Sequence, residues 1–575
     1  MVAMFIADFQ NSSILILLCL FSFICYSFFF LKKRNNSVQG CNLPPSPPSL
    51  PIIGHLHLLL SPLIHRSLQK LSSKYGPLLY LRVFNAPMIL VSSASIAYEI
   101  FKTQDVNVSL RNFPASEGSL FFGSSGFAIA PYGGYWKFIK KLMTTKLIGP
   151  QALERSRGIR ADEVNRFYLN LVDKATKKES VVIAEEAMKL VLNITCKMLM
   201  GKRFSEDEEK VRGLVSETDV LSKKLVLAVI LREPLAKFGI SLFKKDLASI
   251  SRRYDEVLEK SLLECSDTST NAIQWTMAEI FNNSKILERL REEIDSVIEK
   301  TRLIQETDLP NLPYLEAAVK EALRLHPPAP VVLRTFQEGC KFRGFDVLEK
   351  TTLLVNGYAV MRDPNIWEYP EEFKPERFLL PCSRSFQEDE IKEEILKYLP
   401  FGSGRRGCPG SNLAYLSVGT AVGVMVQCFD WKIEGDKVSM EEVPRAMTLT
   451  MAHPLKCIPL LRNPNPLPSN ALERSRGICA DEVNRFYLNL VDKATKKESV
   501  VIAEEAMKLI INSMCKMLMG KRFSEDEEKV RGLLVSENRC LVKEVSLGGH
   551  LARAACQVWD LAFQKGFSQY FSQVR

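Results

Sequence analysis

The sequence predicts a mainly α globular domain, set behind an N-terminal membrane anchor and followed by a helical tail. Three observations carry this. Hydrophobic residues make up 46% of the chain and charged residues 25%, with ordinary Pro and Gly, the balance of an ordered protein rather than a disordered or fibrous one. An uncharged apolar run stands near the start, and the stretch that begins at Ala152 recurs from Ala471. At 575 residues the chain suits one large domain with appendages. The net charge of +10 comes from Lys and Arg interleaved with acids, not gathered into a basic patch, so no nucleic acid is expected as a partner. The 14 cysteines are scattered without CxxC pairs or finger spacing, which argues against a disulfide framework or a zinc site and for reduced core thiols.

Ser13 to Leu31 carries no charge and has the length of one helical membrane crossing. Basic residues do not precede it and no small-residue cleavage site follows, so it reads as an uncleaved anchor rather than a signal peptide. Lys32, Lys33 and Arg34 come directly after it, which places everything C-terminal in the cytosol. Pro44, Pro45, Pro47, Pro48 and Pro51 then forbid helix and give a stiff, extended hinge. The expected division is an anchor over 1–34, a hinge over 35–52, a domain over 53–463 and a tail over 464–575.

The strongest local signal is PFGSGRRGCPG, in which Phe401, Gly404, Arg406, Cys408 and Gly410 fit the pattern FxxGxRxCxG. Five fixed positions coincide by chance in a chain of this length on the order of once in ten thousand. Gly407 and Gly410 let the backbone beside Cys408 approach a flat ligand closely. The apolar-periodic stretch that follows, GSNLAYLSVGTAVGVMVQCF, reads as a helix, so a Cys408 thiolate would sit among its free amide donors. Upstream, EALRLHPP places Glu321 and Arg324 three apart on one helical face, and FKPERF supplies Arg377. Trp136 and Lys140 lie four apart in YGGYWKFIKKL, and Arg334 follows a proline-rich turn in VVLRTF. His326 reads as a packed or capping residue rather than a metal ligand.

Together these motifs resemble the cytochrome P450 family of haem-thiolate monooxygenases, over about residues 1 to 463. The wording of DLPNLPYLEAAVKEALRLHPPAPVVLRTF and of KPERF is most similar to plant enzymes of specialised metabolism, and among them to the thalianol-hydroxylase-like group, with flavonoid oxidases as nearby relatives. The resemblance implies a mainly α fold with a small β portion and haem b ligated through its iron by Cys408. A thiolate ligand pushes electron density onto iron and favours O–O cleavage. It further implies that Arg406, Arg334, Trp136 and Lys140 contact the haem propionates, Lys140 standing where the family commonly has Arg and so lacking the bidentate fork. Glu321, Arg324 and Arg377 would form a buried structural cluster, tolerable only if fully paired. The implied reaction inserts one atom of O2 into a C–H bond of a hydrophobic small molecule delivered from membrane lipid. NADPH–cytochrome P450 reductase would supply the electrons, since no flavin or nicotinamide motif lies within the chain. The implied location is the endoplasmic reticulum membrane.

Two departures stand against this pattern. In the family the central helix reads A/G, G, x, D/E, T, T/S, whereas here the stretch is ECSDTST. Asp267, Thr268 and Ser269 keep the proton-relay half, Asp267 and Thr268 being the catalytic candidates, but Glu264 and Cys265 replace the small groove residues. Only about thirty residues separate Leu235 from this motif, too few for the expected preceding helix, so a segment is missing near 264–266. DLASISRRYDEVLEKSLLE would then run straight into NAIQWTMAEIFNN as one fused helix. The second departure is the tail. After NPNPLPSN it repeats 152–214 at an offset of 319 residues with few changes, among them Arg160 to Cys479 and Thr195 to Met514. Two copies so far apart cannot stack as a solenoid, and a poorly docked tail or a swap with the original segment is expected. A haem-binding pseudoenzyme with a defective distal pocket, or a non-functional fused product, therefore stand as alternatives to the active monooxygenase.

Overall fold

A computed structural model describes residues 41–111 except 85, 130–204 except 202, 254–298, 302–379 and 398–462 except 446–447, together with Phe21, Ser22 and isolated positions between 482 and 512. The side chains of 254–265 and of Arg445 are outside this description. So, apart from Phe21 and Ser22, is the 13–31 run expected to be the anchor. Among the described residues no helix is long and apolar enough to cross a membrane. The chain divides into one unit that takes in residues up to 464, less 300–302, and a second made of 300–302 and 465–575. In the tail, the described positions between 482 and 512 are nearly all helical.

The first unit is mainly helical with small sheets. Its proline-rich entry is extended where described: Pro45 accepts from the amide of Tyr80, and Asn42 bonds Asp346 and Gly344. Helix α1 (Ile64–Tyr75) leads to the hairpin β1 (Leu78–Val83) and β2 (Ala86–Val91), then to α2 (Ala94–Thr103). Helices α3 (Gly134–Lys146), α4 (Pro150–Lys177) and α5 (Ile183–Met200) follow, with the short strand β3 (Val181–Val182) between the last two. Proline at the first turn starts α4, where its missing N–H costs nothing, and left-handed Gly201 ends α5.

Helix α6 (Tyr254–Asn282) is one unbroken element of 29 residues, so the expected fusion across 264–266 forms, while the start of the expected helix, 246–253, lies outside the described residues. Next come α7 (Ser284–Val297), α8 (Pro313–Leu325), β4 (Val332–Thr335), the β5–β6 hairpin (Cys340–Phe342, Phe345–Val347) and β7 (Thr352–Val355). The main sheet runs β1-β2-β7-β4, with β2 parallel to β7 and the other pairs antiparallel. Helix α9 (Ser411–Cys428) precedes β8 (Phe429–Ile433), the hairpin β9 (Glu442–Arg445) and β10 (Thr448–Met451), and β11 (Lys456–Leu461). Strands β3, β11 and β8 form a second sheet.

The helical core gathers apolar side chains of α4, α5, α6, α8 and α9. Helix α9 is buried without interruption from Ser417 to Val426, as expected of a helix apolar all round. A Cβ at Gly423 would lie 2.5 Å from Ile304 Cδ1, so glycine is what lets that segment close on α9.

Buried ion pairs tie the periphery to this core. Arg160 on α4 grips Glu306 with both ends of its fork, Nε to Oε1 at 2.6 Å and the terminal nitrogen to Oε2 at 2.7 Å, and also donates to the Leu153 carbonyl at 2.8 Å. Glu442 at the base of the β9–β10 hairpin accepts from Arg66 and meets His65 Nε2 at 3.2 Å, both on α1. Burial alone would raise the Glu442 carboxyl, but the bonds and charges of His65 and Arg66 outweigh it and hold it below its ordinary value.

Two outcomes follow. Arg160→Cys, the residue standing at the matching place in the tail copy, strands a buried carboxylate and is expected to destabilise the domain by about 3–5 kcal/mol, read as a lower thermal midpoint. A depressed carboxyl stabilises above its unfolded pKa and stops doing so as pH falls through the folded value. The midpoint difference between the parent chain and Glu442→Gln should therefore be full above pH 4.5 and shrink as the solution is acidified below it.

Candidate haem-thiolate site

The Cys408 loop joins β-turn geometry to the start of α9. Gly402 and Gly404 both take positive φ, at 67° and 69°, which L side chains adopt only at a cost. The Cys408 amide donates to the Phe401 carbonyl at 2.9 Å, and the Gly407 amide to Gly404 at 2.9 Å, closing the loop on itself. Phe401 packs edge-on against Tyr415 of α9 at 5.2 Å. Cys408 is exposed, yet its sulfur lies deep enough among protein atoms that burial pushes the thiol up. The Gly410 amide, which donates to that sulfur, and the charge of Arg111 pull the other way and favour the thiolate.

Around the loop stands a cationic group. Arg406 is buried, donates from Nε to the Ser109 carbonyl at 2.7 Å and to Ala130, and lies 4.7 Å over the Trp136 ring. Arg334 on β4 donates to the carbonyls of Leu333 at 3.0 Å and Arg406 at 3.3 Å. Arg111 is brought beside them because Leu110 bridges Thr335, whose amide donates to the Leu110 carbonyl at 2.9 Å. Burial, then repulsion from Arg111 and Arg406, lowers Arg334 to about 9, with Asp105 pulling it up. Burial and Arg111 lower Arg406 to about 10, and burial lowers Arg111 against the upward pull of Cys408. Two buried arginines and a half-buried third, repelling one another next to a thiol whose sulfur accepts a backbone amide, form a surface for a ligand with carboxylates and a metal centre. Haem fits that description.

Trp136 is buried on α3 beside Tyr132, and Lys140 sits over its ring at 5.1 Å. Lys140 Nζ donates to the Arg405 carbonyl at 2.8 Å, so this lysine also braces the Cys408 loop. Asp105 accepts from the Arg405 amide at 3.0 Å and pairs with the guanidinium at 3.2 Å. Neither Arg111 nor Asp105 was named from the sequence; their positions depend on a bridge and a loop contact between segments far apart in the chain.

Glu321, Arg324 and Arg377 come together as expected. Arg324 holds Glu321 at 2.7 and 2.8 Å and donates to the carbonyls of Met361 and Pro370 at 2.8 Å, while Arg377 Nε reaches Glu321 Oε1 at 3.1 Å. The Lys374 amide adds a bond to the same oxygen at 3.0 Å. Both carboxylate oxygens are thus satisfied by donors. His326 caps α8 and stacks on Trp275 at 4.0 Å, with Nε2 at 2.8 Å from Glu279. Burial lowers its pKa despite that carboxylate.

Asp267 and Thr268 lie on α6, both half-buried. Asp267 Oδ2 accepts from Thr448 on β10 at 3.0 Å and from Asn271 at 3.3 Å. The replacements at Glu264 and Cys265 fall where the helix is described but its side chains are not.

A family profile described as Cytochrome P450 matches residues 44–265 and 259–458. Cytochrome P450 705A22 of Arabidopsis thaliana is 60% identical over 505 residues, covering 80% of this chain and 98% of its own length. Cytochrome P450 705A5 of the same plant is 57% identical over 514 residues, covering 81% and 100%. A 3,9-dihydroxypterocarpan 6A-monooxygenase of Glycine max is 34% identical over 514 residues, covering 79% and 99%. Since 80% of 575 residues is about 460, roughly 45 of the 505 positions aligned with the first relative have no residue here.

A Cβ at Gly404 would stand 2.1 Å from Asp105 Oδ1, besides meeting the positive φ. Gly404→Ala should therefore cost more than the ~1–2 kcal/mol of the backbone conformation alone. Gly404→Ala should lower the melting midpoint less in an Asp105→Ala background than in the parent; an equal loss in both backgrounds would show that the carboxylate is not the obstacle.

Proposed function

This chain belongs to the cytochrome P450 family, and from that premise we propose that it is a membrane-bound monooxygenase hydroxylating a hydrophobic plant specialised metabolite. Members of the family use haem with a cysteine thiolate ligand, O2 and a redox partner. The observation that carries the proposal is the Cys408 sulfur accepting the Gly410 amide beside Arg111, Arg334 and Arg406. Cys408 would ligate the iron and the arginines would hold the propionates. Haem so bound supplies the iron that activates O2. Asp267 and Thr268 would hold and pass protons from the central helix toward the site.

The substrate would be triterpenoid-like or flavonoid-like. The first limb rests on the likeness to the thalianol-hydroxylase group, the second on the pterocarpan monooxygenase among the relatives. Val331 to Leu333 and the stretch from Leu449 to Pro454 would contribute its apolar walls. Electrons would come from NADPH through cytochrome P450 reductase. The 13–31 run would anchor the chain as a single span in the endoplasmic reticulum with the catalytic domain in the cytosol. The chain's division after Pro464 supports treating 464–575 as an appendage.

A second reading has its own support. The family match falls into two blocks that overlap at 259–265, where Glu264 and Cys265 replace small residues, and roughly 45 of the positions aligned with the first relative have no residue here. A chain lacking that segment would bind haem through an intact Cys408 side and turn over little or nothing.

The reduced, carbon-monoxide difference spectrum of the full chain in membranes tests the common ground. A thiolate-type Soret band, abolished by Cys408→Ser, is expected; its absence from the parent chain would overturn both readings. With the band present, product formed with reductase and NADPH from triterpene alcohols or pterocarpans favours the active enzyme. Turnover only after the missing segment and Gly at 265 are restored favours the second.

A further inference from the structure

The β9–β10 hairpin is tethered from three directions. At its base Glu442 is held by His65 and Arg66 of α1. In its second strand the Leu449 amide donates to the Pro328 carbonyl at 3.1 Å, and Trp275 Nε1 of α6 donates to the Leu449 carbonyl at 3.3 Å. Trp275 is fully buried and fixed in turn by the His326 ring stacked on it. Thr448, one residue before Leu449, therefore meets α6 at a set position.

There its hydroxyl donates to Asp267 Oδ2 at 3.0 Å, and Asn271 donates to the same oxygen at 3.3 Å. Asn271 lies one turn along the same helix and moves with Asp267. Thr448 belongs to a different element, so it ties the carboxylate's rotation to the hairpin. A carboxylate that passes protons must hold its geometry to a fraction of an ångström, and a short donor from a rigid neighbouring element helps to impose that geometry.

We propose that Thr448 is a positioning residue for Asp267, joining the hairpin beside the substrate to the carboxylate that manages protons. This rests on the reading of Asp267 as the relay acid. A substrate that presses on the hairpin would then alter proton delivery directly, and a shift of the hairpin would divert electrons to peroxide, two electrons and two protons converting O2 to H2O2.

The test uses the haem-loaded full chain with Thr448→Val, Thr448→Ser, Asp267→Ala and the pair Thr448→Val with Asp267→Ala. Thr448→Val keeps the shape and removes the donor. It should lower the thermal midpoint more in the parent than in the Asp267→Ala background, while Thr448→Ser melts like the parent. With reductase, NADPH and O2, Thr448→Val should raise H2O2 released per NADPH about threefold, against the ~100-fold or larger rate effect of deleting a general acid outright. Equal midpoint shifts in both backgrounds, or Thr448→Ser behaving like Thr448→Val, would overturn the contact. An unchanged peroxide share with the midpoint coupling intact would overturn the positioning role. Loss of the thiolate band from the parent chain would instead remove the family reading on which the proposal rests.

Discussion

The buried Glu321–Arg324–Arg377 cluster is the constraint on which the proximal half of the molecule depends. Two guanidiniums and a backbone amide converge on one carboxylate, and Arg324 spends its remaining donors on the carbonyls of Met361 and Pro370. Those carbonyls belong to a stretch with little regular structure, which cannot satisfy its own backbone and would not hold one path without donors from outside. Arg377 sits next to Phe378, whose ring packs on Tyr398 at 5.2 Å; Tyr398 bonds Tyr415 of α9 at 3.1 Å, and Tyr415 packs on Phe401. The cluster thus reaches the Cys408 loop through aromatic contacts. An ion pair of this kind adds little net stability over apolar packing, but breaking it leaves a charge stranded, so it commits the surrounding loops to one arrangement.

The cationic side of the site obeys the opposite rule. Arg334 and Arg406 are buried with Arg111 half-buried beside them, and burial first, then repulsion, lowers Arg334 and Arg406. What holds them is geometry: Arg334 is a strand residue paired with Leu353, Arg406 is bonded to carbonyls, and Arg111 is carried in by the Leu110–Thr335 bridge. The main sheet, small as it is, therefore acts as the frame that keeps like charges together until a dianionic ligand balances them. Asp105 serves the frame by pinning Arg405, and the glycine at 404 is the space its carboxylate needs.

What could be read from the sequence was what repeats locally. The Cys408 loop, the α9 helix and the Glu321, Arg324 and Arg377 positions all lie in short strings whose spacing has one physical meaning, and the structure brings them together as the strings suggest. The fused α6 helix was legible for the same reason, from an unbroken helical period. Arg111, Asp105 and Thr448 were not, because nothing in SLRNF, TQDVN or MTLTM says which distant segment each will meet. Lys140 is an intermediate case: its charge and helical place beside Trp136 were clear, but not that its ammonium would bond the Arg405 carbonyl.

The tail copy shows the same limit from the other side. Residues from Ala471 repeat the wording of α4 and α5 and keep its helical period, so local physics is the same in both places. Yet the buried residues of α4 and α5 are answered by α6, α9 and β11, which occur once in the chain. A swap would have to seat Cys479 where Arg160 grips Glu306, trading a bidentate pair for a thiol against a buried carboxylate. The same exchange would set Met514 where Thr195 bonds the Val191 carbonyl inside its own helix. The first change costs several kcal/mol by the rule for half-broken buried pairs and the second little. One substitution therefore suffices to make the original segment the better tenant of the core, and the copy's helical wording does not by itself earn it a place there.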